Sequence, residues 1–115
     1  MAETQLDIGI RVEGDMAIID LKGEINAFAE AALINAYMEA HATEAKFLAL
    51  NFSDVEYINS TGIALIVSLL AKARKDDQEV IAFGLTDHFQ NIFEITRLSD
   101  FMQIVPDETA ALANA

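Results

Sequence analysis

The chain has 115 residues, of which 53% are hydrophobic and only one is proline, a composition that favours one compact domain over disorder. Nineteen acidic and seven basic residues give a formal net charge of −12. Such a surface repels phosphate backbones and anionic lipid, which argues against nucleic-acid binding. The absence of cysteine excludes disulfides and thiolate chemistry.

No segment has the pattern of a membrane span. The longest apolar run, residues 63–71, is interrupted by Ser68 and is too short to cross a bilayer. Residues 1–7 lack the basic and apolar regions of a signal peptide. We therefore expect a cytoplasmic protein with no direct membrane insertion.

The amino-terminal third predicts a hairpin and a loop. Apolar residues alternate with polar or small ones over residues 6–12, as in a half-buried strand, and residues 13–15 (EGD) suit a tight turn. Residues 16–21 form a second apolar strand. Residues 22–26 (KGEIN) are predicted to be a loop, with Asn26 as the N-cap of the following helix.

Helix periodicity follows over residues 27–41, where Phe28, Tyr37 and Met38 fall on the predicted core stripe. We interpret the Phe and Met residues of the chain as packing residues. The apolar run 47–52 predicts a strand that is covered on both faces.

The second half alternates regularly between helices and strands. A largely buried helix is expected from about residue 61 to 75, and a second helix over 86–96 includes Ile95 in its core stripe. Short strands are expected at residues 80–83 and 102–105. The proline at residue 106 ends the second of these strands, and a last helix follows at residues 107–113.

The resulting order, β-β-α-β-α-β-α-β-α, defines the fold class. It predicts one α/β domain over residues 1–115, with a mainly parallel sheet, an antiparallel edge hairpin, and helices packed on the sheet.

Catalytic constellations have little support. The histidines, His41 and His88, fall at helix ends, and no feature of the sequence brings either to Ser60. The neighbouring carboxylates lack an aromatic pocket or a metal-ligand pattern and are interpreted as solvated loop charge; they are Asp54 with Glu56 and Asp76 with Asp77. We therefore expect no enzyme, no metal and no cofactor.

Three of the seven basic residues cluster at the end of the central helix, where they complement the helix dipole; they are Lys72, Arg74 and Lys75. Before that helix, Asn59, Ser60 and Thr61 offer three capping candidates where one is enough. Gly62 follows them and permits close approach of another backbone. Unpaired N–H groups at a helix start stabilise negative charge, so a hydroxyl there is a plausible phosphorylation site.

Residues 54–63 (DVEYINSTGI) and the order of elements resemble the STAS domain, the fold of bacterial anti-anti-sigma factors. Residues 23–26 (GEIN) match the family's second signature loop, and the resemblance spans about residues 6–113. Stand-alone members bind an anti-sigma factor that is also a serine kinase, and phosphorylation of one serine ends the binding. The resemblance therefore implies an anti-sigma factor antagonist with Ser60 as the phosphorylated serine. The implied partner-binding residues are Asn26, Asn59, Ser60, Thr61 and Gly62.

Two positions depart from the family's pattern. The family usually has aspartate where this chain has Asn26 and Asn59. Both differences remove negative charge near the expected phosphate, and they leave an alternative open. In that alternative, the chain is an unphosphorylated STAS subunit of a larger signalling or transporter-associated complex.

Overall fold

The computed structural model describes residues 6–114, and within them five strands form one sheet whose spatial order follows the chain. Residues 1–5, which carry most of the segment expected not to be a signal peptide, lie outside the described part. Four strands are parallel, and the first is antiparallel to the second. The strands are β1 (Leu6–Glu13), β2 (Met16–Ile25), β3 (Phe47–Ile58), β4 (Glu79–Phe83) and β5 (Gln103–Val105). The predicted fold class is confirmed.

Helices connect the parallel strands. The α-helices are α1 (Glu30–Ala42), α2 (Ser60–Lys75), α3 (Asp87–Ile95) and α4 (Glu108–Ala113). A 3-10 turn, Ala27–Ala29, precedes α1, and a second one, Leu98–Asp100, follows α3. No helix within the described range is long and apolar enough to cross a membrane.

The two faces of the sheet carry separate cores. Crossovers between parallel strands are almost always right-handed, so successive crossovers in the same direction place α1, α2 and α3 on one face. Their buried residues pack there against alternate residues of the strands. A smaller cluster fills the opposite face, where Ala111 of α4 packs with residues such as Ile18 and Phe83.

The predicted loop at residues 22–26 is wrong, because β2 continues to Ile25. The reason is tertiary: β3 also continues, to Ile58, and the two extensions pair with each other in parallel. Two register shifts interrupt this pairing, and β3 accommodates two more residues than β2 between the paired ends. Charged residues and Gly23 give the segment the composition of a loop, but its neighbour supplies the hydrogen bonds of a strand.

Several side chains that were assigned to the core are exposed. Phe28 is 77% exposed, Met38 62% and Ile95 80%. Tyr37 is buried as predicted, and the rest of the buried face of helix α1 consists of Leu33, Ala36 and Ala40. Helix α2 is likewise buried along one side only, because Val67 and its neighbours on the outer face remain exposed. The expectation of a largely buried α2 is therefore wrong.

Candidate functional site: the Ser60 turn

The sheet brings the two asparagines of the predicted site side by side. Ile25 and Ile58, the last residues of β2 and β3, are register partners in the sheet. Asn26 and Asn59 follow them directly, and the Asn59 N–H donates to the Ile25 carbonyl at 3.2 Å. Residues far apart in sequence thus meet at the carboxyl edge of the sheet, where ligands commonly bind in α/β folds. We call residues 59–62 the Ser60 turn.

Both asparagines act as helix caps. The Asn59 Oδ1 accepts the Gly62 N–H at 2.8 Å and closes the start of α2. The Asn26 Oδ1 accepts the Phe28 N–H at 2.9 Å and closes the 3-10 turn. Because Asn and Asp cap helices about equally well, an asparagine here keeps the capping bond of an aspartate and lacks its charge.

Capping by Asn59 leaves the two hydroxyl side chains exposed at the helix start. Ser60 and Thr61 are the first two residues of α2, and neither hydroxyl has a hydrogen-bond partner among residues 6–114. Their backbone N–H groups belong to the first turn, where an α-helix offers no internal acceptor. The start of α2 therefore presents a hydroxyl, unpaired N–H donors and the positive end of the helix dipole together.

Gly62 permits the close approach that the sequence suggested. A Cβ at this position would lie 2.1 Å from the Ile25 carbonyl oxygen and 3.0 Å from Cγ2 of Ile58. Any larger residue would push α2 away from the ends of β2 and β3. The glycine is therefore required for the contact that joins the two halves of the site.

The predicted basic residues and histidines lie on helix surfaces. Lys72, Arg74 and Lys75 occupy the last turn of α2, as expected. His41 is exposed in the last turn of α1, and His88 is exposed near the start of α3. Within residues 6–114, no three His, Asp or Glu side chains converge as metal ligands would.

One of the carboxylates interpreted from the sequence as solvated loop charge makes a hydrogen bond between two helices. Asp76, the C-cap of α2, accepts the Tyr37 hydroxyl at 2.5 Å and so joins α1 to α2. Burial of the phenol, reinforced by this hydrogen bond, raises the pKa of Tyr37 above its usual range. No local pattern predicts this pair, because its members are 39 positions apart.

A second polar cluster ties α4 to the sheet. The Arg11 guanidinium donates to both Asp20 oxygens, at 2.6 and 2.9 Å, and to both Glu108 oxygens, at 2.8 and 3.2 Å. The hydrogen bonds from Arg11 hold the pKa of Asp20 and the pKa of Glu108 below their usual values. This cluster lies on β1, β2 and α4, and it supports the fold outside the Ser60 turn.

The fold and the turn define a class of protein. The chain belongs to the STAS domain family, because the sequence model of that family matches residues 7–111. A relative named anti-sigma-B factor antagonist, from Listeria monocytogenes, is 32% identical over 102 residues, which cover 86% of this chain and 90% of the relative.

Solved structures share the fold at low sequence identity. The crystal structure of an anti-sigma factor antagonist from Mycobacterium paratuberculosis superposes with a TM-score of 0.82 at 18% identity, covering 96% of this chain and 93% of that one. The crystal structure of a sulfate transporter family protein from Wolinella succinogenes superposes with a TM-score of 0.78 at 16% identity, covering 90% of this chain and 87% of that one. Both structures therefore share the fold of this chain.

Proposed function

We propose that this protein is an anti-sigma factor antagonist, a regulatory binding module and not an enzyme. It docks on a cognate anti-sigma factor that is also a serine kinase, through Asn26 and the Ser60 turn. Transfer of the ATP γ-phosphoryl group to the Ser60 hydroxyl, with release of ADP and the hydroxyl proton, ends the binding. The similarity to the Listeria antagonist along nearly the whole chain supports this assignment.

The single observation that carries the proposal is that Asn59, and not Ser60, caps helix α2. Asn59 supplies the cap, so the Ser60 hydroxyl is exposed and has no hydrogen bond within the described chain. A kinase can reach it without breaking the start of α2. The unpaired N–H groups and the helix dipole then favour the phosphate locally.

The phosphate acts on the interface through charge. It adds about −1.5 to −2 charges at neutral pH to a turn that contains no ionisable residue. Desolvating this dianion against a partner costs several kcal/mol unless the partner pairs with it. Because about 1.4 kcal/mol corresponds to a tenfold change in Kd, such a cost abolishes micromolar binding.

Incubation with the co-encoded anti-sigma factor and ATP tests the proposal. Intact-mass measurement should show one added phosphate on the wild type and on Thr61→Ala, and none on Ser60→Ala. Ser60→Glu should bind the anti-sigma factor at least tenfold more weakly than Ser60→Ala, because it introduces charge at the same place. Phosphate on Ser60→Ala, or equal affinities for the Glu and Ala variants, would overturn the switch.

Asn26 and Asn59 favour one alternative, because they stand where the family usually has carboxylates, in the Ser60 turn and beside it. In that case the protein is a constitutive subunit of a larger signalling or transporter-associated complex. Such a complex would co-purify with the chain and would keep its affinity after ATP is added. Release of the partner by ATP excludes this alternative.

A further inference from the structure

An exposed phenylalanine lies beside the Ser60 turn. Phe28 is the middle residue of the 3-10 turn Ala27–Ala29, and this turn contacts both β2 and α2. Its N–H is held by Asn26, and the next residue, Ala29, is buried. The backbone is thus fixed on both sides of Phe28 while its side chain remains 77% exposed. Because the backbone is already ordered, covering this group costs only the entropy of its own two side-chain torsions.

The segments that contain this ring and the Ser60 turn are poor in charge. Residues 25–29 and 57–71 contain no Asp, Glu, Lys or Arg, although 23% of the chain is charged. The charged residues next to these ranges are Glu24, Glu30 and Glu56 at the ends near the turn, and Lys72 at the far end, in the last turn of α2. An uncharged centre with an aromatic residue and a charged rim is the usual composition of a protein–protein interface.

We propose that Phe28 is the main apolar anchor of the interface formed by the Ser60 turn, and that the partner receives it in an apolar pocket edged by Lys or Arg side chains. This inference rests on the proposed function and specifies the chemistry of the partner. Basic groups around the pocket complement Glu24, Glu30 and Glu56 in a chain of net charge −12. A second copy of the chain fits less well, because the acidic rims of two copies would face each other.

Isothermal titration of the co-encoded anti-sigma factor with Phe28→Ala tests the anchor. Loss of a central aromatic residue should weaken Kd at least tenfold, and Phe28→Trp should retain most of the affinity. Ile95→Ala is the matched control, since Ile95 is 80% exposed but lies at the end of α3; its Kd should stay within about twofold of the wild type. All three variants should melt close to the wild type, because both side chains are exposed.

A salt titration tests the basic edge of the pocket. Raising NaCl from about 50 to about 300 mM should weaken wild-type binding, and it should weaken binding of Glu30→Gln less, because screening acts on the acidic rim. An affinity independent of salt overturns the basic edge.

The outcomes separate this inference from the proposed function. Wild-type affinity for Phe28→Ala overturns the anchor, while phosphate-dependent binding of the wild type keeps the proposed function intact. Failure of the unphosphorylated wild type to bind the anti-sigma factor overturns the proposed function and this inference with it. Dimerisation of the wild type alone, if Phe28→Ala abolishes it, assigns the surface to a second copy and overturns the partner named here.

Discussion

Asn59 carries out a structural task that a neighbouring hydroxyl would otherwise perform. If Ser60 were the N-cap, its oxygen would be bonded to the helix, and phosphorylation would remove the cap. The Asn59 side chain makes that bond to Gly62 instead. Ser60 becomes the first residue of α2, exposed and chemically available. Cap and proposed modification site are thereby separated by a single position.

Replacement of Asn59 tests the cap. Asn59→Ala should lower the free energy of unfolding by about 1 kcal/mol, because the Gly62 N–H loses its acceptor. Asn59→Asp should be at least as stable as the wild type, since aspartate caps equally well and its charge suits a helix N-terminus. Urea unfolding of the three proteins measures both effects. Equal stability of Asn59→Ala and the wild type would show that the cap is dispensable.

Gly62 provides a second prediction at the residue scale. Gly62→Ala places a Cβ 2.1 Å from the Ile25 carbonyl oxygen, so α2 or β2 must move. We expect a loss of about 2 kcal/mol or more in the free energy of unfolding. Gly9→Ala is the control, because no atom lies within 4 Å of a Cβ built there. Alanine in that strand should be neutral or stabilising by up to about 1 kcal/mol. Similar losses for both variants would contradict the contact.

At the scale of elements, the sequence predicted well wherever a period or a cap was strong. The alternation in β1, the cap Asn26 and the proline before α4 all correspond to observed elements. The paired extension of β2 and β3 could not be predicted, because a local composition of charge and glycine was overridden by pairing between distant segments.

The buried face of α1 was predicted only in part, for a different physical reason. The small Ala36 and Ala40 are buried, while the larger Phe28 and Met38 are exposed. Hydrophobic size therefore predicted the burial of Tyr37 correctly and that of Phe28 and Met38 wrongly. The same property hid the proposed anchor, since an apolar residue at helical spacing is usually part of a core.

The Arg11 cluster allows a prediction about α4 and pH. Asp20 and Glu108 have ordinary pKa values of 3.8 and 4.5, and bonding to Arg11 lowers both in the folded protein. Stability from these bonds is therefore fully present above about pH 4.5 and is lost as the pH falls through the lowered, folded-state values. Arg11→Met should lower the free energy of unfolding at pH 7 by about 1 to 2 kcal/mol, a modest loss because the groups are partly exposed.

The difference between Arg11→Met and the wild type should shrink at acid pH, because the unfolded chain takes up protons on both carboxylates before the folded protein does. Urea unfolding at pH 7 and at about pH 3 measures this change. Arg97→Met is the matched control, because Arg97 pairs with Asp100 at 3.5 Å on a far more exposed surface. Its effect should stay below about 0.5 kcal/mol at both pH values. A difference for Arg11→Met that does not depend on pH would assign its effect to packing.

At the scale of the whole molecule, the proposed switch requires no conformational change. Helices α1, α2 and α3 share one face of the sheet, and the Ser60 turn lies at the exposed start of the central one of these helices. The Ser60 side chain contributes nothing to either buried cluster. A phosphate there changes the charge of the surface that a partner must cover, and it leaves both cores packed.

The phosphorylated protein should therefore keep its fold and its stability while it loses its partner. A phosphate at the start of a helix is favoured by about 0.3 to 1 kcal/mol, so the melting temperature should stay equal or rise slightly. Amide chemical shifts should change around residues 25–29 and 57–64 and stay constant in β5 and α4, which lie on other parts of the sheet. Heteronuclear NMR and thermal melting of both forms, with Ser60→Ala carried through the same kinase reaction, measure this. Shifts spread through α4, or a lower melting temperature, would mean that phosphate acts by deforming the domain, and the binding surface would then be switched through its shape instead of its charge.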